Sequence, residues 1–99
     1  MATPFNFYRG SAPAGLTPVY TVPDSTTAIV TNVVAANPGD QAGSVTVQIS
    51  GVDVLPRVGI APQGVLTLEI NQVLTTGDEI EVQGSGSTCA LHISGVEVV

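Results

Sequence analysis

Along most of this chain apolar and polar residues alternate with a period of two, the pattern of strands that cover one face. Residues 44–50 set Val45, Val47 and Ile49 against Thr46 and Gln48. Residues 65–71 set Leu66, Leu68 and Ile70 against Thr67 and Glu69, and residues 79–83 set Ile80 and Val82 against Glu79, Glu81 and Gln83. In residues 88–99, Cys89, Leu91 and Ile93 share a face as far as Gly95, where a bulge is expected to re-register Val96 and Val98. Residues 26–36 are nearly continuously apolar, which suits a strand covered on both faces or one that changes face midway. Residues 52–60 form a less regular strand, because Pro56 restricts it to an edge or a bulge. Helix formers are scarce, and no stretch carries a helical apolar stripe.

Turn chemistry separates these strands. Asn37-Pro38-Gly39-Asp40 and Ala61-Pro62-Gln63-Gly64 read as turns, because proline presets φ, glycine accepts positive φ, and Asn or Asp bonds nearby amides. Val73 to Asp78 reads as a corner with a tight turn, and Gly84-Ser85-Gly86-Ser87 as a flexible connection. Six or so short strands divided in this way predict an all-β fold, a small antiparallel β-sandwich with immunoglobulin-like or jelly-roll connections. Residues 24–99 would form the sandwich. Residues 1–23 carry prolines at 4, 13, 18 and 23 and read as an extended N-terminal arm, with edge strands at residues 5–9 and 19–22.

The four aromatics, Phe5, Phe7, Tyr8 and Tyr20, all lie in that arm, so the sandwich core must be aliphatic. Aromatic rings bury too much apolar area to stay in water. The arm must either cap its own sandwich or pack on a neighbouring subunit, and aromatics suit both places.

With 99 residues and 10.0 kDa there is room for one domain. No apolar run is long enough for a transmembrane helix, and the start of the chain has no basic and apolar signal-peptide pattern. Eight acids face two arginines, a formal charge of −6. That balance disfavours nucleic acid and anionic membrane as partners. The lone Cys89 cannot form an intrachain disulfide and reads as a buried inert thiol. His92 falls on the opposite strand face, which makes a Cys–His nucleophile pair geometrically poor. Asp78, Glu79 and Glu81 lack the spacing of a calcium loop and read as a solvated acidic face. No zinc or phosphate-loop motif occurs. Neither catalytic residues nor a cofactor is expected. Arg9 and Arg57 are lone cations suited to carboxylates across an interface.

Taken in order, several short runs resemble small β-sandwich virion proteins of tailed bacteriophages. These are the opening strand Asp24-Ser25-Thr26-Thr27-Ala28-Ile29-Val30-Thr31-Asn32-Val33, the Val45-Thr46-Val47 strand, and the Ile60-Ala61-Pro62 turn before the alternating leucines. The Val73-Leu74, Gly77-Asp78 and Ile80 corner and the closing His92-Ile93-Ser94-Gly95-Val96-Glu97 strand follow. The resemblance spans about residues 24–99 and leaves out the arm. It implies a non-enzymatic structural component of the virion, a capsid decoration (cement) protein on the outer shell or a tail-associated or fibre protein. It offers no catalytic residues to carry over. The expected partners are the major capsid protein or another virion protein, and further copies of the chain, a trimer being one such assembly. The expected location is the capsid surface or tail, after synthesis in the host cytoplasm. Phe5, Phe7, Tyr8, Arg9 and Arg57 are the expected partner contacts. A small carbohydrate- or protein-binding module is the alternative, although sugar-binding sandwiches usually present exposed aromatics and here only the arm has them.

Overall fold

The computed structural model describes residues 2–85 and 89–99, and the chain is all-β. Its strands are β1 (Ala2–Ser11), β2 (Thr17–Thr21), β3 (Thr27–Ala36), β4 (Gly43–Ile49), β5 (Val52–Ile60), β6 (Val65–Leu74), β7 (Glu79–Ser85) and β8 (Ala90–Val98). Sheet I has the order β1-β8-β3-β6 and sheet II the order β2-β7-β4-β5, with every pairing antiparallel. β1 pairs with β8, β2 with β7, β3 with β6 and β4 with β5. These nested pairs describe one long hairpin rolled up into two facing sheets, the jelly-roll arrangement of a β-sandwich. The local turn signals that predicted a sandwich are common to both candidate topologies, and only this strand order separates them.

The N-terminal segment differs from its expectation as an arm. Its described residues are the edge strands of both sheets, β1 beside β8 and β2 beside β7. Between them the chain crosses from one sheet to the other. The Ala12 amide donates to Cys89 O at 2.7 Å, and Pro13 O accepts from the Gly84 amide at 2.7 Å. Prolines are tolerated because Pro4 and Pro18 lie on edge strands, where one side of the backbone has no ladder to complete. The connection expected to be flexible at residues 84–87 is divided. Gly84 and Ser85 belong to β7, while Gly86 and Ser87 lie outside the described residues.

The core between the two sheets is aliphatic except for Phe7 of β1, which corrects the expectation of a core built from aliphatics alone. Val30, Val33, Leu74, Leu91 and Ile93 come from sheet I, and Val45, Val47, Ile80 and Val82 from sheet II. The nearly continuous β3 changes face midway. Ala28 and Val30 are buried, then Val33 and Ala35, with Thr31 and Asn32 between them. The ladders to β6 and β8 both shift register between Val30 and Asn32, which reverses the parity. β5 is an edge strand as Pro56 requires, with a bulge that sets Pro56 and Arg57 against Thr46, between the pairs Val47–Leu55 and Val45–Val58. The bulge expected at Gly95 lies instead in the strands on either side. On β1 it inserts Phe7 between the partners of Ser94 and Ile93, and on β3 it inserts Thr31 between the partners of Gly95 and Ser94.

The loops are held by side chains as well as backbone. Asn37 is buried, and its Nδ2 donates to Gln41 O at 2.8 Å and Ile60 O at 3.1 Å. Its Oδ1 accepts the Gly39 amide at 3.0 Å, so Asn37 fixes both ends of the β3–β4 turn. In the β5–β6 turn the Gly64 amide donates to Ala61 O at 2.8 Å, and the left-handed position falls on Gln63, not on the glycine.

Candidate interaction surface

The five expected partner contacts do not converge. Phe7 is a core residue, 5% exposed, because the β1 bulge turns its ring inward over Gly95, and this corrects its expected role as a surface contact. Tyr8 packs partly against the core, and its hydroxyl donates to Ser11 O at 2.6 Å. Phe5 is 37% exposed, with its ring centroid 5.2 Å from Phe7 and 5.6 Å from Tyr20. Phe7 and Tyr20 meet edge-on at 4.6 Å. This trio draws the two edge strands β1 and β2 together and closes that side of the sandwich. Arg9 is exposed on β1, and Arg57 is exposed on β5, an edge strand of the other sheet. Arg57 adopts φ 45° at the β5 bulge. Among the described residues no carboxylate pairs with either arginine.

The titratable groups are dispersed. Among the described residues no three of His, Cys, Asp and Glu gather as a metal site would require. Cys89 is buried, its thiol pKa pushed up by loss of solvent, while His92 stands exposed between buried Leu91 and Ile93. Tyr20 Oη donates to Glu97 Oε2 at 2.5 Å, a bond from β2 to β8 that ties the two sheets. Burial first, then the bond to Glu97 and its charge, holds the Tyr20 hydroxyl well above the ordinary phenol range. Asp78 is half-buried and accepts the Thr75 amide at 2.9 Å. That bond and one from Ser50 hold its carboxyl below the ordinary range. A shallow groove of about 470 Å³ lies beside Ile49, Val52, Asp53, Val54 and Gln72. Its one carboxylate, Asp53, already accepts Gln48 Nε2 at 2.9 Å.

The outer faces of the two sheets differ more than anything in these clefts. On sheet II the outward positions are polar and acidic. Glu79, Glu81 and Gln83 alternate with buried Ile80 and Val82, and Gln48 pairs with both Glu81 and Asp53. On sheet I the registers align outward residues in rows across four strands. Pro4, Val96, Ile29 and Val73 form one row, and Arg9, His92, Val34 and Thr67 another. Between them run Asn6, Ser94, Asn32 and Glu69. Val73 is 64% exposed and Val65, at the far end of β6, 67%. This face carries one arginine and one carboxylate. The other seven of the eight acids, with Arg57, account for the whole formal charge of −6. The charge sorting was invisible along the chain, because it depends on which strands neighbour one another.

No family model and no curated protein matches this chain. Among solved structures, an exo-β-1,3-galactanase from Phanerochaete chrysosporium, crystallised with galactose, is similar over 99% of this chain, at 14% identity and a TM-score of 0.41. This chain spans 29% of the length of that protein. The likeness is too loose to carry the galactanase's activity across.

Proposed function

We propose that this protein is a non-enzymatic structural component of a tailed-phage virion, a capsid decoration protein that binds the outer shell and stabilises it. The observation that supports this reading is the outer face of sheet I, a net-neutral surface of one apolar row beside two mostly polar ones, on a chain of charge −6. A neutral face that leaves Val65 and Val73 largely exposed suits contact with another protein better than the acidic outer face of sheet II does. The dispersed titratable groups fit a docking role better than a chemical one. The ordered resemblance of residues 24–99 to phage sandwich proteins supplies the particle. In this role the protein is made in the host cytoplasm and ends on the virion, where it bridges neighbouring subunits and opposes shell expansion. Of the expected contacts in the N-terminal segment, Phe5 and Arg9 are exposed on β1 and Tyr8 is half-buried.

The test is the resistance of particles to heat and low salt, with and without this protein. Particles lacking it are expected to open at lower temperature and to regain resistance when purified protein is added back. Equal resistance of the two, or no binding on add-back, overturns the reading.

A further inference from the structure

We propose that the occupant of the sheet I face is a second copy of this chain, docked about a twofold axis that runs parallel to the strands. This rests on the reading of that face as the docking surface and names its partner. Charge decides between the two outer faces. Two copies meeting through sheet II would bring Asp53, Glu79 and Glu81 against their own counterparts. Like charges opposed across an interface are strongly unfavourable. Through sheet I each copy brings one cation and one anion, and the remaining charge stays in water.

Charge also decides the direction of the axis. Arg9 lies on β1 and Glu69 on β6, the two opposite edges of sheet I. An axis across the strands would lay each strand over its own copy and Arg9 near Arg9. An axis along the strands lays β1 over the partner's β6 and β8 over its β3. Arg9 then sits above the row containing Thr67, with Glu69 one row along, about 7 Å away at strand rise. That lies within the reach of an arginine side chain, and the symmetry makes the contact twice. The middle of the contact holds Asn32 and Ser94, and Ile29, Val34 and Val96, all half-buried in the single chain, flank them.

The area is sufficient. Four strands at about 4.8 Å and nine or ten residues at about 3.3 Å give roughly 600 Å² on each copy. The pair therefore buries roughly 1,200 Å², the lower bound for specific association. Sheets packed face to face in this way align within about 30°.

Native mass spectrometry and sedimentation equilibrium on the full chain test the proposal, with circular dichroism to verify the fold of each variant. The wild type is expected as a dimer with a dissociation constant of about 10 µM or tighter. Val34→Glu, which sets two carboxylates side by side next to the axis, one from each copy, is expected to give a folded monomer. Arg9→Glu alone and Glu69→Arg alone are each expected to weaken the dimer at least about tenfold, and the double swap to restore it within about threefold. The swap uses exposed positions, so it remains informative if Val34→Glu does not fold. A monomeric wild type, a trimer, a dimer indifferent to these changes, or a swap without rescue overturns the proposal. Add-back to particles separates it from the functional reading. A monomer that still binds shells defeats only the dimer, and a dimer that binds no shell defeats only the virion role.

Discussion

The Phe7 ring occupies the space that a side chain on Gly95 would fill. A Cβ at position 95 would come 2.8 Å from Phe7 Cε2 and would collide with Ile29 O. β1 and β3 both bulge beside this point of β8, so the missing side chain lets two neighbouring strands close in and one aromatic fill the gap. Gly95→Ala is therefore expected to cost about 3 kcal/mol or more, at the upper end for overpacking. Gly59→Ala, at a strand position with open space around it, is expected to stay within about 0.5 kcal/mol. Urea titrations of both variants check the contrast, and equal losses would show that Phe7 does not need the glycine.

The Tyr20–Glu97 bond makes a prediction about alkaline pH. The folded chain holds the Tyr20 hydroxyl pKa above its unfolded value near 10, so folding favours the protonated phenol. The stability this group contributes is fully present below about pH 10 and is lost as the pH rises beyond it. In a Tyr8→Phe background, phenolate absorbance is expected to emerge together with loss of the folded circular dichroism signal. Tyr20→Phe is expected to flatten the alkaline decline and to lower stability at neutral pH by about 2 kcal/mol, the scale of a hydrogen bond to a charged partner. Ordinary titration of Tyr20 in a chain that stays folded would contradict the bond.

Asp78 acts at the other end of the pH scale. Its carboxylate accepts the Thr75 amide and hydroxyl, which closes the turn before β7, and these bonds lower its pKa when folded. Its contribution is present above the unfolded pKa near 4 and is lost as the pH falls through the folded value. Asp78→Asn is expected to leave a shallower acid limb in a plot of stability against pH. Identical acid limbs for the variant and wild type would remove the turn from the account.

How far the sequence was legible follows from the range of each interaction. Strands β4, β6, β7 and β8 were readable because one face of each is buried, so Val45 and Val47 or Ile80 and Val82 alternate with polar neighbours. The edge position of β5 followed from Pro56 alone. The N-terminal strands were less legible, because Pro4 and Pro18 obscure strands that exist only through pairing with residues about 60 to 100 positions away. The left-handed conformations at Arg57 and Gln63 carried no glycine to mark them. The sheet I face was unreadable for the same nonlocal reason. Pro4, Ile29, Val73 and Val96 are scattered in sequence and become one row only through three ladder registers.

Two asparagines at opposite ends of the hydrogen-bond balance give the last prediction. Asn37 is buried with its carboxamide bonded on both atoms, and one of its acceptors is Ile60 O beneath the β3–β4 turn. Asn37→Leu removes those bonds and strands buried backbone groups, so a loss of about 2–3 kcal/mol is expected. Asn32, at the β3 bulge in the middle of the sheet I face, has a buried Oδ1 without a partner among the described residues. A buried acceptor left unbonded is unfavourable, and an apolar side chain of the same shape removes that burden. Asn32→Leu is therefore expected to raise stability by about 1 kcal/mol. Thermal and urea unfolding of the two variants should move in opposite directions from the wild type. Destabilisation of similar size in both would mean that Asn32 Oδ1 has found a donor within the folded chain and needs none from a partner.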